Sequence, residues 1–329
     1  MAYENMPAAH AGDIQMEVVG LGKRFTVKSQ GKNAVLNAVS DVSFTVRKGE
    51  TFSIVGESGC GKSTLGRCLA RLLEPSEGQV LFEGRDIGQL EHGALRQLRK
   101  RIQFIFQDPY SSMNPRMRVR SILAEPLRNF SVPAARVAAR LDELLRLVSL
   151  KPESLDKYPH QFSGGQRQRL VIARALALEP DFIVCDEPVS ALDVSVQAQV
   201  INLLVDLQKT LRLTYLFISH DLSVVRHLSH SVAVMYLGRI VEVGTCGEIF
   251  NTPRHPYTKA LMAAVPRFSE ASRGQAKPLR LSGEIPSPLS PPSGCAFRTR
   301  CPNAQAVCAQ SLPEARRFSD SHVVACHFA

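Results

Sequence analysis

The chain has 329 residues, 44% of them hydrophobic and 21% charged, with eight cysteines and a formal net charge of +10. At roughly 150 residues per domain this suits about two globular domains and excludes a disordered, core-less chain. No apolar run approaches the roughly 18–20 residues of a membrane-spanning helix, and residues 1–17 lack the apolar centre of a signal peptide, so a soluble, cytosolic protein is expected.

In chain order, Val42, Phe44 and Val46 alternate with polar residues and predict a half-buried strand over 41–47. Residues 47–50 read as a turn and 51–55 as a second strand. That strand runs into Gly56-Glu57-Ser58-Gly59-Cys60-Gly61-Lys62-Ser63-Thr64, then a helix with Leu65, Cys68, Leu69 and Leu72 on one face. This is G-x-x-x-x-G-K-[ST] in the strand-to-helix setting its chemistry needs. The glycines let backbone N–H groups turn inward around phosphates, Lys62 reaches the terminal phosphates, and Ser63 can ligate Mg²⁺. A chance match of four fixed positions recurs in about one chain of this length in a hundred, and the flanking elements make it rarer still.

A strand at 102–106 ends at Gln107. From about 108 to 180 the pattern is helical, with Val137, Leu141, Leu144, Leu145 and Val148 at helical spacing. Near its end, Phe162-Ser163-Gly164-Gly165-Gln166 precedes an apolar helix over 170–178, and two glycines before a helix form a further backbone nest for anions. The strand 182–186 ends in Asp186 and Glu187, which suit Mg²⁺ coordination and a general base. Alone that pair is weak, because many strand ends carry solvated acids; after a phosphate loop it gains weight. A helix over 196–211 and a strand over 214–219 follow, and strand–helix–strand at this spacing predicts a parallel sheet with crossover helices, an α/β fold. Residues 232–237 and 240–243 read as a hairpin through Gly238-Arg239.

The tail differs in texture. Seven of the twenty prolines lie between 278 and 313, which excludes long helices and central strands there. From Arg254 onward there are ten Lys/Arg against four Asp/Glu, an excess that fits nucleic acid, an anionic membrane face or simply a solvated surface. Four cysteines (Cys60, Cys68, Cys185, Cys246) are scattered, whereas Cys295, Cys301, Cys308 and Cys326 crowd the last 35 residues. Disulfides rarely persist in the cytosol, so this clustering points to metal before bridges. The spacing is neither that of a zinc ribbon nor that of a standard ferredoxin; a [4Fe–4S] cluster, zinc and free thiols all stay open. Cys68 and Cys185 fall at apolar positions and read as small buried hydrophobes. Cys60, at an electropositive helix start, is expected to have a lowered pKa and to be alkylated in competition with nucleotide. The histidines outside the motifs show no ligand spacing.

Ser163-Gly164-Gly165-Gln166, following a phosphate loop, resembles the signature sequence of ABC ATPases. The other parts stand in that family's order: Gln107 resembles its Q-loop, Ser190-Ala191-Leu192-Asp193 its D-loop, and His220 its switch histidine. Phe25 is placed like the aromatic that stacks on adenine, although an aromatic in a strand is more often core. The resemblance implies an ABC-type P-loop ATPase, with a RecA-like core, an antiparallel β subdomain and an inserted α-helical subdomain. The ATPase domain would occupy 14–253, with the helical part at about 108–180, and a small Pro/Cys-rich extension would occupy 254–329. ATP and Mg²⁺ follow as cofactors. Lys62, Glu187 and His220 would be catalytic, and Ser63, Gln107 and Asp186 would surround Mg²⁺. Residues 56–64, Gln107, Ser163, Gly164, Gly165, Gln166, Asp186 and Asp193 would surround nucleotide, with Ser163 covering ATP held by a partner subunit.

Three further segments narrow the resemblance. Phe106-Gln107-Asp108-Pro109-Tyr110-Ser111-Ser112-Met113-Asn114-Pro115-Arg116, Asn251-Thr252-Pro253-Arg254-His255-Pro256-Tyr257-Thr258 and Gly283-Glu284-Ile285-Pro286-Ser287-Pro288 resemble ATPase subunits of dipeptide/oligopeptide ABC importers. The match spans about 18–326 and is nearest the dipeptide-type subunit that pairs with a second, non-identical ATPase. It implies two transmembrane permeases docked near the segment after Gln107, an extracytoplasmic peptide-binding protein acting indirectly, and a place on the cytoplasmic face of the inner membrane. It also implies a [4Fe–4S] cluster on the four tail cysteines, ahead of zinc or free thiols, and no nucleic-acid partner. Rivals are an importer ATPase for nickel or another solute, and a soluble ABC ATPase acting on nucleic acid or ribosomes. The latter usually carries two ABC units or a coiled-coil insertion, and neither is present. A degenerate regulatory module is disfavoured by Lys62, Glu187 and His220, and an exporter half by the missing membrane span.

Overall fold

The computed structural model describes residues 13–29, 31–109, 112–263 and 283–329. Residues 1–12, Gln30, Tyr110, Ser111 and 264–282, the last including Pro278, lie outside the described residues, and with them parts of the leader, Q-loop and extension readings. Two compact units are present: Met1–Arg47 with Thr51–Gln89 and His220–Ala329, and Lys48–Glu50 with Leu90–Ser219.

In the first unit a four-stranded antiparallel sheet has the spatial order Lys32–Arg47, Ile14–Ser29, Glu77–Phe82, Arg85–Asp86. The strand expected over 41–47 is the end of a longer one, and Val42, Phe44 and Val46 are its buried face as their alternation requires. Its partner Ile14–Ser29 escapes a period-two reading. Its register shifts between Val18 and Leu21 and again between Leu21 and Lys23, and each bulge turns the following side chains to the other face.

Five further strands of this unit run in the order Thr51–Val55, Ser231–Tyr236, Arg239–Thr245, Val323–Ala325 and Ala315–Arg317, the first pair parallel and the rest antiparallel. The hairpin is the expected one. The two C-terminal strands are three residues each, too short for a periodic signal, and they add to the hairpin's edge through Glu242 opposite Val324. Glu242 is fully buried, yet its carboxylate accepts the N–H groups of Arg254 (2.8 Å) and His255 (2.9 Å) and contacts His322 Nε2 at 2.7 Å. A buried acid satisfied from three sides ties the tail to the helix Pro256–Ala263. His255 accepts the Tyr257 N–H on Nδ1 (3.0 Å), and burial holds it down to about 3, so it stays neutral near pH 7 and acts as a structural acceptor.

The helix after the phosphate loop, Lys62–Leu69, buries Leu65, Cys68 and Leu69. Leu72 does not share that face: Arg71 takes a left-handed φ of +52°, the chain reverses, and Leu72 is left 45% exposed. Cys68 and Cys185 are fully buried, as expected, and burial pushes the Cys68 thiol up to about 11.

The second unit holds three parallel strands, Ile102–Ile105, Phe182–Asp186 and Thr214–Ile218, with the helix Val194–Leu211 as one crossover. The latter two strands are buried throughout, which accounts for their continuous apolar runs. Its helices include Val119–Asn129, Ala134–Leu147 and Gly164–Leu176. Leu141, Leu144 and Leu145 are buried, each contributing about 2 kcal/mol. Arginines complete helix ends and loops that would otherwise lack partners. Arg140 donates to the carbonyls of Leu176 (2.7 Å) and Ala177, Arg169 to Val148, and Arg174 to Ser112 (2.7 Å) and the Glu125 carboxylate (2.9 Å).

Candidate active site

The phosphate loop lies between the buried strand Thr51–Val55 and the helix Lys62–Leu69 in the first unit. Gly56, Gly59 and Gly61 all have φ between +78° and +154°, which L side chains rarely adopt. Two of them also sit where a Cβ has no room: at Gly56 it would lie 2.2 Å from the Met235 carbonyl oxygen, and at Gly61 2.1 Å from that of Ala38. Lys62 is buried and its Nζ donates to the carbonyls of Gly56 (2.8 Å) and Glu57 (3.0 Å). The ammonium thus bridges the loop's opening. Ser58 and Gly59 are exposed at the loop tip, Ser63 and Thr64 are half-buried on the first helical turn, and His220 is exposed just ahead of the helix Leu222–Leu228. Phe25 is half-buried in the strand Ile14–Ser29, opposite Leu36, with Lys23 Nζ 5.0 Å above its ring.

Cys60 departs from expectation. Its thiol is buried, and burial pushes its pKa up, outweighing the nearby Lys62 that would lower it. Position at a helix start favours a thiolate only where solvent or cations compensate for desolvation. The premise of a reactive, low-pKa Cys60 therefore fails.

In the second unit the strand Phe182–Asp186 delivers Asp186, buried, and Glu187, half-buried. Glu187 holds a left-handed φ of +46°, fixed by its N–H on the Ile218 carbonyl (2.9 Å) and by the Ser190 hydroxyl on its own carbonyl (3.1 Å). A non-glycine residue in that region costs of order 1 kcal/mol. Gln107 Nε2 donates to Glu187 Oε2 at 3.0 Å, so the expected Q-loop glutamine and the expected base touch. Ser163 caps the helix Gly164–Leu176 through a reciprocal pair: its hydroxyl accepts the Gln166 N–H (3.3 Å), and its own N–H donates to Gln166 Oε1 (3.1 Å). Arg167 anchors the same turn to the carbonyls of Pro159 and His160. Gly165 lets this helix start approach the next: a Cβ there would lie 2.3 Å from Val196 Cγ1. Asp193 caps that second helix by accepting the Val196 N–H (3.0 Å), and the Ser195 hydroxyl on its carboxylate lowers its pKa.

Two residues to which no motif assigns a role at the nucleotide site touch the phosphate loop. The Arg300 guanidinium grips the Glu57 carboxylate with two bonds, 2.7 and 3.0 Å, and the Tyr257 hydroxyl accepts the Glu57 N–H at 3.0 Å. Residue 300 stands 243 positions from residue 57, and no local pattern links them.

None of the four tail cysteines is in a disulfide. Burial raises Cys295 and Cys301, and the thiols of Cys308 and Cys326 add to both shifts, so the four lie within electrostatic reach of one another. Cys295 N–H donates to the Cys308 carbonyl (2.8 Å), and Phe328 N–H points at Cys326 Sγ (3.4 Å). Among the described residues, no group of three or more His, Cys, Asp and Glu is placed to hold a metal ion, so the metal expected on the tail cysteines finds no support in their arrangement, and no helix is long and apolar enough to cross a membrane.

A phosphate loop feeding a helix, an Asp–Glu strand end and a capped SGGQ helix define an ATP-binding cassette. The profile described as ABC transporter matches residues 39–190, and that described as Oligopeptide/dipeptide transporter, C-terminal region, matches residues 241–308. The chain is 51% identical over 327 residues to the oligopeptide transport ATP-binding protein AppF of Bacillus subtilis, covering 98% of this chain and 99% of that one. It is 51% identical over 319 residues to the probable peptide ABC transporter ATP-binding protein y4tS of Sinorhizobium fredii, covering 96% and 90%. Among solved structures, cbiO1 of Clostridium perfringens, part of the ABC transporter complex cbiONQ, superposes with a TM-score of 0.64 at 29% identity over 73% of this chain and 92% of that one. The ATP-binding cassette MJ0796, in a dimeric post-hydrolysis state with ADP and Pi, gives 0.63 at 27% identity over 70% and 98%. The chain belongs to the ABC transporter family, among the ATP-hydrolysing subunits of its oligopeptide/dipeptide branch.

Proposed function

We propose that this ATPase energises import of di- and oligopeptides through a pair of membrane permeases. It would work at the cytoplasmic face of the membrane as a heterodimer with a second ABC ATPase. The observation that carries the reading is near-full-length identity of 51% to an oligopeptide transport ATP-binding protein. The C-terminal match typical of that branch supports it. Peptides would be delivered by an extracytoplasmic binding protein that never touches this chain. Residues 14–253 would form the ATPase domain, with a helical subdomain at about 108–180, and 254–329 the branch-specific extension.

Residues 56–64 would wrap the phosphates with backbone N–H groups, Lys62 exchanging its two loop carbonyls for the terminal phosphates, while Phe25 stacks on adenine. The Ser63 hydroxyl, the Gln107 side-chain carbonyl and the Asp186 carboxylate are hard oxygen donors that fit Mg²⁺. Bound there, the ion neutralises charge developing between the β- and γ-phosphates. Glu187, turned by its left-handed backbone and oriented by Gln107, would take a proton from the attacking water. His220 would contact the γ-phosphate. Ser163, Gly164, Gly165 and Gln166, with Asp193 behind them, would cover ATP on the partner subunit, as each ATPase completes the other's site.

Cys295, Cys301, Cys308 and Cys326 would hold a [4Fe–4S] cluster. The crowding of these four into the last 35 residues supports this. Bound there, the cluster supplies a staple for a segment short of apolar residues and a one-electron redox group.

The test is affinity purification from detergent-solubilised membranes under anaerobic conditions. A second ABC ATPase and two polytopic permeases are expected to co-elute, with stoichiometric iron and sulfide that Cys301→Ser removes. Zinc with no sulfide would overturn the cluster, and ribosomal proteins without permeases would overturn the importer.

A further inference from the structure

The contacts around Glu57 join the C-terminal extension to the phosphate loop within one compact unit. Residue 57 is the second of the loop, between glycines that leave the backbone few constraints of its own. It is held at two points. Its N–H donates to the Tyr257 hydroxyl, and its carboxylate accepts the bidentate fork of Arg300. Both holders are buried: Arg300 has 4% of its side chain exposed, and Tyr257 none.

Arg300 is itself locked in place. Its guanidinium lies over the Tyr236 ring (5.9 Å) and reaches the Tyr236 hydroxyl at 3.5 Å. Tyr236, Tyr257 and Phe297 pack as an aromatic trio with centroids 4.7–5.4 Å apart. The turn bearing Arg300 is closed by the Arg300 N–H on the Phe297 carbonyl (3.0 Å) and anchored by Cys295 on Cys308 (2.8 Å). Arg300 Nε, also buried, finds no acceptor among the described residues. Burying a guanidinium with one donor unmet is a poor way to stabilise a fold. A bidentate fork, however, fixes the direction of a carboxylate as a point charge cannot. Glu57 also contributes one of the two carbonyls that Lys62 occupies, so fixing residue 57 fixes where the ammonium starts.

We propose that Arg300, with Tyr257, is a positioning residue for the phosphate loop, so that the C-terminal extension is a working part of the nucleotide site. The inference rests on the nucleotide-binding reading of residues 56–64. Neither residue need touch ATP. They act through Glu57 by holding the loop's N–H groups in the shape that phosphates require.

The test uses the full-length chain with its permeases in detergent, measuring MgATP affinity by calorimetry and steady-state hydrolysis for Arg300→Met, Arg300→Lys, Tyr257→Phe and Glu57→Gln. Misplacing binding groups by an ångström can cost roughly a hundredfold. Arg300→Met is therefore expected to raise Kd and KM together by about ten- to a hundredfold while kcat stays within about threefold. Arg300→Lys should recover part of the loss. Adding Glu57→Gln to Arg300→Met should cost little more than either alone, because both remove one interaction. If Arg300→Met does not fold, Tyr257→Phe and Arg300→Lys decide on the same criterion. Wild-type Kd and KM in the folded variants would overturn the proposal, as would a loss confined to kcat, provided Lys62→Ala abolishes binding. If the wild-type chain itself bound no MgATP, the underlying nucleotide reading would fail, and this inference with it.

Discussion

Glu187→Gln is expected to bind MgATP with wild-type affinity and to lose hydrolysis by about two to four orders of magnitude, the usual contribution of a positioned general base. The substitution keeps volume and shape, so the left-handed turn at 187 and its bond to the Ile218 carbonyl persist. What disappears is a carboxylate able to accept a proton. In the wild type that carboxylate is already directed, because Gln107 donates to one of its oxygens. Single-turnover hydrolysis measured by rapid quench is the proper readout, since it is blind to product release. A rate within about tenfold of wild type would remove Glu187 from the role of base.

Gly61→Ala should have the second large effect, on binding and folding together. A Cβ at position 61 would lie 2.1 Å from the Ala38 carbonyl oxygen and 3.0 Å from Met235 Cε, on a backbone with φ of +105°. The methionine tip can move, but the carbonyl belongs to the strand Lys32–Arg47 and cannot shift without disturbing that sheet. A cost of about 2–4 kcal/mol in urea unfolding is expected from strain plus overpacking, with MgATP binding lost because the loop must open to relieve the clash. Gly59→Ala is the control. Its φ of +78° is also left-handed, but a Cβ there meets nothing within 4 Å, so only the backbone penalty of roughly 1 kcal/mol remains. Equal stability losses in the two variants would show that the Ala38 contact does not matter.

What the sequence discloses is what is contiguous. Residues 56–64 carry their own chemistry in nine consecutive positions, and the strand and helix beside them are readable from alternation and helical spacing. The same holds for Ser163–Gln166 and for the apolar runs at 182–186 and 214–218. Three things escape. The strand Ile14–Ser29 is bulged, so its period is interrupted where a reader would count it. The Cys60 pKa is misjudged because charge is visible in a sequence and desolvation is not. The Arg300–Glu57 fork is invisible because 243 positions separate its ends. Arg300 lies in a Pro-rich stretch where periodicity says nothing, and only the fold brings it to the loop. Tyr257 did carry a faint signal, falling inside the 251–258 segment that resembles the peptide-importer ATPases.

In the proposed activity, ATP hydrolysis by this chain drives peptide across a membrane. The most direct test is uptake of labelled di- and oligopeptides into proteoliposomes bearing the purified permease–ATPase complex, with binding protein outside, on the peptide-supplying side, and MgATP in the lumen at the ATPase face. The expected result is ATP-dependent accumulation of peptide that Glu187→Gln abolishes. Steady ATP turnover with no accumulation of any peptide, or accumulation of nickel in its place, would contradict it.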